Sequence, residues 1–225
     1  MNIKKGDFIQ IAFIGREKEN NHIFDLTDEA TAKKENAYNP EMKYGPRTIC
    51  VGEHNIVPGL DDFLVGKETK TYTVELTPEQ AFGKKNPKLI KMMPLSVFTK
   101  QKIKPFPGLQ LNMDGHLVTI KTVSGGRVVV DFNHPVSGRD VVYEITVKKI
   151  ITDDKEKITH LIESGFGPTA MFTFTDGNLE ITLPQELPKE VQDTLSTELT
   201  RLVPAIKKVT FKKKEEKKTD KATKA

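Results

Sequence analysis

The chain has 225 residues, of which 36% are hydrophobic and 29% are charged, and its formal net charge is +4. This length suffices for one large domain or for two to three small ones. No apolar run approaches the ~20 residues that a membrane-spanning helix needs, which excludes a helical membrane protein. We predict a cytoplasmic protein, because residues 1–7 lack the apolar core of a signal peptide. Cys50 is the only cysteine, which excludes an internal disulfide and suits a reducing compartment.

The positive charge is confined to the end of the chain. Residues 212–225 hold seven lysines and three acidic residues, and the rest of the chain is neutral. A segment this polar cannot bury a core, so we predict a disordered, lysine-rich tail. A nucleic-acid-binding function would depend on this tail alone, because no other segment combines aromatic and basic residues in the way that base stacking requires. We therefore expect no nucleic-acid partner.

The first part of the chain predicts a mixed α and β structure. Residues 7–14 alternate as a strand, with Ile9, Ile11 and Phe13 on one face. The further elements predicted in this part are a helix over residues 27–37, strands over residues 47–51 and 70–76, and a short helix from Pro58 to Leu64. Proline in the first turn suits the start of that short helix.

The pattern changes after Gly83. Two hairpins are predicted, one turning at Asp114-Gly115 and the other at Ser124-Gly125-Gly126, because such residues adopt the turns favoured between antiparallel strands. Strands follow over residues 128–132 and from Val141 to Ile150. About 45 residues thus lie between two parts of one sheet, which is typical of a domain inserted in a loop.

A third unit begins near Thr152. Asp153 is predicted to cap a helix that ends at Gly165, because an acidic residue follows the cap by three positions. The remaining elements are two strands that flank a turn at Asp176-Gly177, a helix from Pro188 and a strand over residues 207–213. This order indicates a small α+β domain with both helices on one face of its sheet. Met171 would lie on the open face, so we predict a homodimer through this domain.

Three short motifs occur in a defined order within residues 1–151. They are Ile23-Phe24-Asp25, Val57-Pro58-Gly59-Leu60-Asp61 and Ala81-Phe82-Gly83. In this order they resemble the pocket of the FKBP-type peptidyl-prolyl cis-trans isomerases. The run Phe132-Asn133-His134-Pro135-Val136-Ser137-Gly138 resembles the SlyD-like members, which carry an insert-in-flap domain over the pocket. The resemblance covers about residues 1–151, and the members to which the protein is most similar are of the long archaeal type.

The resemblance implies an α+β fold, in which an FKBP-like antiparallel sheet wraps on a short helix. An inserted, mostly β flap domain belongs to the same resemblance, and the order of predicted elements adds a small C-terminal α+β domain. The implied division is a discontinuous isomerase domain (residues 1–86 and 132–151), an insert-in-flap chaperone domain (87–131), a C-terminal domain (152–211) and the tail (212–225).

Isomerisation of the peptide bond before proline must overcome a barrier of about 18–20 kcal/mol that amide resonance sets. An apolar pocket and hydrogen bonds placed for the twisted amide stabilise the transition state selectively, so no nucleophile, metal or cofactor is needed. By resemblance, Asp25 is the polar group of the pocket wall and the backbone N–H of Val57 binds a substrate carbonyl. The residues implied to line the pocket are Phe13, Phe24, Ile56, Val57, Leu60, Phe82 and Tyr143, and the catalytic group is Asp25 with Phe24, Val57, Phe82 and Tyr143. Ordinary core packing is the alternative for any one of the apolar members.

Some positions depart from the family pattern. Phe13 and Phe82 stand where tyrosine is usual, and Leu60 replaces a tryptophan. A non-catalytic holdase that binds unfolded chains is therefore the alternative function. His134 is expected either at the pocket rim, in contact with substrate, or as a structural part of the flap. No spacing of Cys50 and the histidines resembles a metal site, so no metal is predicted.

The start of the insert is rich in apolar residues. They are Leu89, Ile90, Met92, Met93, Leu95, Val97 and Phe98. A domain this small has little core to absorb them, and flexible methionines suit a promiscuous binding surface. We predict that they bind extended client chains, with a small core as the alternative for some of them. The predicted function is a prolyl isomerase and folding chaperone for unfolded or nascent polypeptides that contain proline.

Overall fold

The computed structural model describes residues 2–167 and 169–213. The described chain forms two compact units, one reaching Lys149 and the other beginning at Ile150 and including Gly6–Phe8. The elements up to the end of the first unit are the strands β1 (Phe8–Glu17), β2 (Ile23–Leu26), β3 (Arg47–Cys50), β4 (Thr71–Leu76), β5 (Ile90–Pro94), β6 (Gln110–Met113), β7 (His116–Ser124), β8 (Arg127–Asp131) and β9 (Val141–Ile151), and the helices α1 (Glu29–Lys34), α2 (Pro58–Leu64) and α3 (Leu95–Lys100). No helix among the described residues is long and apolar enough to cross a membrane.

The larger sheet of this unit is antiparallel where its register is defined. Its strands follow the order β2-β1-β9-β4, and β3 pairs with β1. Ile9, Ile11 and Phe13 are buried on one face of β1, as the alternation predicts, because successive side chains of a strand point to opposite faces. The strand continues to Glu17, three residues beyond its predicted end. Its last residues pair with β2, an element that was not predicted from the sequence.

Helix α2 has the predicted bounds, with proline in its first turn. The loop before it is fixed by Asp61, a buried residue of the helix. The carboxylate of Asp61 accepts hydrogen bonds from the backbone N–H groups of Gly52 at 2.9 Å and His54 at 3.1 Å. Because both bonds end on a side chain of α2, the loop and the start of the helix are held as one body.

Helix α1 is shorter than the helix predicted over residues 27–37. It begins after Asp28, whose carboxylate accepts a hydrogen bond from the Thr31 N–H at 2.7 Å, and it ends at Lys34. Asn36 then adopts a positive φ of 54°, a left-handed conformation that ends a helix.

The insert folds as a four-stranded antiparallel sheet in the order β5-β8-β7-β6. Both predicted hairpins are confirmed, since β6 pairs with β7 around Asp114-Gly115 and β7 pairs with β8 around Gly125-Gly126. All four turn residues have positive φ, as two-residue hairpin turns require. Strand β5 and helix α3 were not predicted. The core of the insert consists of Phe98, Val118, Ile120, Val128 and Val130.

The second unit has the predicted order of elements, α4 (Asp154–Phe166), β10 (Met171–Thr175), β11 (Asn178–Leu183), α5 (Lys189–Leu202) and β12 (Lys208–Lys213). Asp153 caps α4 as expected, but the helix continues through Gly165 and ends at Gly167, which has a φ of 80°. The predicted end at Gly165 was therefore wrong by one to two residues. The helix is stopped by the positive φ of Gly167, and Gly165 lies within the helix.

The C-terminal sheet has the order β10-β11-β12, with β11 and β12 parallel. Leu179, Ile181 and Leu183 of the central strand are buried. Strand β12 runs to Lys213, so Lys212 and Lys213 belong to the sheet rather than to the predicted tail. The remainder of that tail, residues 214–225, lies outside the described residues.

The opposite face of this sheet is polar. Met171 is 55% exposed, as predicted, but the strand register places it beside Thr182 and Lys212. The next row across the sheet contains Glu180, which forms an ion pair with Lys212 at 2.7 Å. Because Met171 is the one large apolar side chain on this face among the described residues, burial of the face alone offers little apolar area.

Candidate active site

Four aromatic side chains from distant parts of the sequence meet edge to face. The ring of Phe24 on β2 lies 5.4 Å from Phe82 and 5.7 Å from Tyr143 on β9, measured between ring centroids. Phe13 on β1 continues the group at 5.9 Å from Tyr143. Edge-to-face contacts at these distances are favourable because the positive edge of one ring meets the negative face of the next. We call these four residues the aromatic cluster.

The aromatic cluster lies close to the backbone of β1 at Gly15. A Cβ atom at this position would lie 2.8 Å from the ring of Phe24 and 2.9 Å from the ring of Tyr143. Both distances are shorter than non-bonded carbon atoms tolerate, so the observed ring positions require glycine here. Gly15 also pairs directly with Asp25 in the register of β1 and β2. Gly15 was not predicted as part of the site, since a lone glycine in a strand carries no further signal.

Asp25 is half-buried next to the aromatic cluster. Burial raises the pKa of its carboxyl above the ordinary value, although the positive charge of Arg47 and a backbone hydrogen bond from Leu26 oppose the change. The guanidinium Nη2 of Arg47 is 3.6 Å from Oδ1 of Asp25, and the guanidinium Cζ lies 5.3 Å from the centroid of the Phe13 ring. Arg47 thus holds the carboxylate by charge and contacts the cluster through a cation–π interaction. It was missed because nothing in its sequence context marks it.

Tyr143 stays neutral in this environment. Burial, and secondarily the negative charge of Asp25, raise the pKa of its phenol. With Phe13 and Phe82 lacking hydroxyl groups, Tyr143 carries the one phenol of the aromatic cluster.

His134 joins the cluster from the segment that leaves the insert. Its ring stacks on Phe82 with centroids 4.3 Å apart and planes inclined by 4°. Burial lowers the pKa of His134 more than the nearby charge of Asp25 raises it, so the ring is neutral at pH 7. Its Nδ1 accepts a hydrogen bond from the Val136 N–H at 3.3 Å, which places the proton of the neutral ring on Nε2.

The segment after His134 is bonded to the residues around Phe82. The hydroxyl of Ser137 donates to the carbonyl oxygen of Phe82 at 3.0 Å, and the Gly138 N–H donates to the carbonyl oxygen of Gly83 at 2.8 Å. Phe82 is therefore fixed through its backbone as well as through its ring contacts.

The two chain segments that connect the insert to the isomerase part are joined by Asn133. Its side chain accepts from the Asn86 N–H at 2.8 Å and donates to the Asn86 carbonyl oxygen at 3.1 Å. The same amide nitrogen donates to Oδ1 of Asp131 at 2.7 Å. Asn133 and Asp131 are both buried, and a buried polar group with all its bonds formed fixes local geometry. We call these three residues the asparagine clamp. It holds the base of the insert immediately before His134.

The structure places Ile56 and Val57, both half-buried, immediately before α2. Val57 has a φ of −57° and a ψ of 139°, and no acceptor among residues 2–167 and 169–213 is bonded to its N–H. Helix α2 lies against the 3₁₀ turn that precedes Phe82, because a Cβ atom on Gly59 would be 2.7 Å from Cβ of Gln80. Leu60 is 1% exposed, so it belongs to the core beneath α2 and offers a substrate almost no surface.

The apolar residues at the start of the insert divide into two groups. Leu89, Ile90 and Met92 are 38%, 42% and 62% exposed. Met93 and Leu95 are partly buried against the insert core, as is Val97. Phe98 is 1% exposed and lies in that core, so its assignment to client binding was wrong. It points inward because α3 places it over the insert sheet. Phe106 and Leu117, 57% and 49% exposed, are apolar surface residues that the sequence analysis missed.

No group of three or more His, Cys, Asp or Glu side chains among the described residues is arranged to hold a metal ion. The arrangement offers instead an aromatic surface, a half-buried carboxylate and an unoccupied backbone donor. These are features of a site that binds and desolvates an uncharged group.

Comparison with known proteins agrees with this chemistry. The family described as "FKBP26, IF domain" matches residues 91–136, which include the insert sheet and His134. The chain is 31% identical over 110 residues to the FKBP-type 16 kDa peptidyl-prolyl cis-trans isomerase of Escherichia coli (strain K12), and the match covers 47% of this chain and 74% of that protein. This chain belongs to the FKBP-type peptidyl-prolyl cis-trans isomerases. As a family member it is an isomerase, and the non-catalytic alternative is not retained.

Two further relatives of this isomerase show which part of the chain is shared. The short-type peptidyl-prolyl cis-trans isomerase of Methanocaldococcus jannaschii is 28% identical over 155 residues, which cover 68% of this chain and 98% of that protein. The SlyD isomerase of Vibrio cholerae is 31% identical over 121 residues, covering 51% and 59% of the two chains. The relative from Methanocaldococcus is thus matched almost end to end by about two thirds of this chain.

The free N–H of Val57 can be tested by removing it. Proline accommodates the observed φ of −57° and lacks the donor, whereas Val57→Ala keeps it. We expect Val57→Pro to lower kcat/KM for a proline tetrapeptide roughly tenfold, the equivalent of one hydrogen bond, and Val57→Ala to lower it much less. Thermal unfolding of both variants should stay close to that of the original chain. Equal rates for the two variants would show that this N–H does not bind substrate.

Proposed function

We propose that the aromatic cluster binds the proline ring of an unfolded chain through its half-buried members Phe24 and Phe82, and that Asp25 and the Val57 N–H act on the adjacent amide. Phe13 and Tyr143, which are 4% and 3% exposed, support these two rings from the core. The observation that carries this proposal is the convergence of Phe24, Phe82 and Tyr143 beside a half-buried carboxylate. A proline ring is apolar, and aromatic rings are the side chains best suited to cover it without competing for hydrogen bonds.

The proposed mechanism lowers the rotation barrier by differential stabilisation. The planar amide is stabilised by charge separation that water supports, so transfer into an apolar pocket weakens resonance relative to the twisted form. The Val57 N–H would donate a hydrogen bond to the carbonyl oxygen of the substrate and hold one side of the amide while the other rotates. Asp25, fixed by Arg47, would orient the polar groups of the pocket wall. Each tenfold gain in rate requires about 1.4 kcal/mol, which one or two such interactions supply.

We further propose that the insert captures extended client chains and so makes this protein a folding chaperone. Leu89, Ile90 and Met92 form a contiguous exposed apolar segment at and before β5. Strand β5 is also an edge of the insert sheet, so its outer hydrogen-bonding groups can pair with an added strand. A flexible methionine beside an open edge suits binding to many sequences.

The division of labour between pocket and insert can be measured on one deletion. Replacing residues 87–131 by a short flap leaves Asn86, Asn133 and the whole aromatic cluster in place. We expect tetrapeptide isomerisation to fall less than about threefold, while refolding of a protein limited by a proline bond slows at least about tenfold, because capture raises the local concentration of prolines at the pocket. Equal losses on peptide and protein substrates would mean that the insert builds the pocket.

A milder variant controls for the loss of the whole insert. Ile90→Ser combined with Met92→Ser removes exposed apolar surface without touching the insert core. It should reproduce the loss on protein substrates, whereas Lys88→Ser combined with Lys100→Ser, at exposed positions on either side, should not.

We also propose that the C-terminal unit forms a homodimer. Its sheet face is polar, so we expect pairing through an edge of the sheet, and of the two edge strands β10 is the one that carries the exposed Met171. Pairing of two such edges would satisfy their backbone groups and cover Met171. Light scattering should give twice the chain mass for the full chain and the monomer mass for a 1–152 truncation. A monomer in both measurements would contradict the proposal.

The clients proposed for this isomerase are unfolded or nascent polypeptides that contain proline. A cytoplasmic location and the lack of a nucleic-acid partner stay predictions from the sequence.

A further inference from the structure

A cleft of about 380 Å³ adjoins the aromatic cluster. On one side it is lined by Phe24 and His134, which belong to or stack on the cluster, and on the other by Leu117 and Thr119 of the insert strand β7. Its volume is within the range of peptide and small-molecule sites. Because residues of both regions line the cleft, a chain bound at the aromatic cluster can extend into it. The proposed function does not use the charged residues that line it.

The cleft is lined by three cationic side chains and two carboxylates. The cations are Lys85, Lys121 and Arg139, and the carboxylates are Glu17 and Asp131. Both carboxylates are almost fully buried, with 7% and 3% of their surface exposed. A ligand in the cleft can therefore reach little of either carboxylate, whereas the charged groups of the three cations remain in contact with solvent.

Both carboxylates also have partners within the protein. Asp131 receives hydrogen bonds from the backbone and side chain of Asn133 and lies 3.6 Å from the Lys121 ammonium. Burial raises the pKa of Asp131, but these hydrogen bonds and the charges of Lys121 and Lys85 outweigh burial, so the pKa is lowered and the group is ionised. Glu17 forms an ion pair with Arg139 and accepts a hydrogen bond from the Asn20 side chain at 2.9 Å.

Of the three cations in the cleft, Lys85 is the one that takes part in neither of these ion pairs. It is exposed and has no ion pair among residues 2–167 and 169–213, whereas the neighbouring Lys84 pairs with Glu79 at 2.7 Å. The aliphatic stem of Lys85 lies along Gly138, where a Cβ atom would be 3.3 Å from its Cγ. The stem is thereby held at the edge of the cleft. Although the charge of Lys85 also acts on Asp131, three cations against two carboxylates leave the cleft with a net positive charge.

We propose that this cleft is a subsite for the client segment next to proline and that Lys85 makes it favour an acidic residue there. The proposal rests on the aromatic cluster being the proline site. An extended chain advances about 3.3 Å per residue, so a residue in the adjoining cleft is a few positions away from the proline. The isomerase thus selects among proline bonds by the charge of the flanking sequence.

Matched peptides test this selectivity on the full chain. Each set contains Glu, Gln or Lys at one position, two or three residues before or after the proline, in an otherwise identical peptide. Isomerisation is followed by NMR exchange spectroscopy, which needs no protease with its own preference. In one set we expect kcat/KM to be highest for the Glu peptide, about two- to fivefold lower for the Gln peptide and lowest for the Lys peptide. These differences should shrink as the salt concentration is raised.

Charge reversal assigns the effect to the cleft. Lys85→Glu should reverse the order of the Glu and Lys peptides, and Lys88→Glu, which makes the same change of net charge outside the cleft lining, should preserve it. If both variants act alike, the preference is general attraction to a cationic surface and the subsite is wrong. Equal rates for all peptides of every set would also overturn the subsite but leave the proline pocket intact, whereas absence of isomerisation of any peptide would overturn the pocket itself.

Discussion

Phe24 and Tyr143 lie against the backbone of β1 at a position where any β-carbon would collide with both rings. The rest of the site depends on this contact. Because Gly15 lets the rings approach, Phe24 can meet Phe82 edge to face, and Phe82 in turn offers its face to His134. The residue opposite Gly15 on β2 is Asp25, so the same register places a carboxylate at the border of the aromatic cluster.

The environment of Asp25 supports the proposed role in the pocket wall rather than a stabilising one. Its pKa in the folded protein is raised, so the carboxyl favours folding below its unfolded pKa, and this contribution is lost as the pH rises through the folded pKa. At neutral pH the ionised group is therefore held against a desolvation cost, which its ion pair with the half-exposed Arg47 offsets only in part. Groups kept ionised at such a cost occur preferentially at functional sites.

Local signals predicted much of this fold, and long-range pairing decided the remainder. Helix α2 and the two insert hairpins were predicted because proline at a helix start, Asp-Gly and Gly-Gly act within a few residues. Strand β2 was missed because four residues carry too little pattern, and they become a strand only by pairing with β1. The same limit applies to Arg47, whose contact with Asp25 arises from the arrangement of β2 and β3 around β1.

The resemblance to the FKBP pocket anticipated which aromatic residues meet, but it could not separate surface from core in the insert. Met92 and Phe98 lie in the same apolar run, and one is 62% exposed while the other is 1% exposed. Their exposure differs because Met92 lies in β5 and Phe98 lies in α3, so the two side chains point in different directions. A run that is part strand and part helix has no single hydrophobic period from which the buried positions could be predicted. The asparagine clamp was likewise invisible, since Asn86 and Asn133 are brought together only by closure of the insert.

The most direct measurement of the central claim is an NMR titration of the full chain, labelled with ¹⁵N and with ¹³C in its aromatic rings. A short proline peptide is compared with the same peptide carrying alanine in place of proline. The account predicts that the proline peptide shifts the ring signals of Phe24, Phe82 and Tyr143 and the amide signal of Val57, and that the alanine peptide shifts them much less. Shifts confined to the insert around Met92, with the aromatic cluster unchanged, would contradict it.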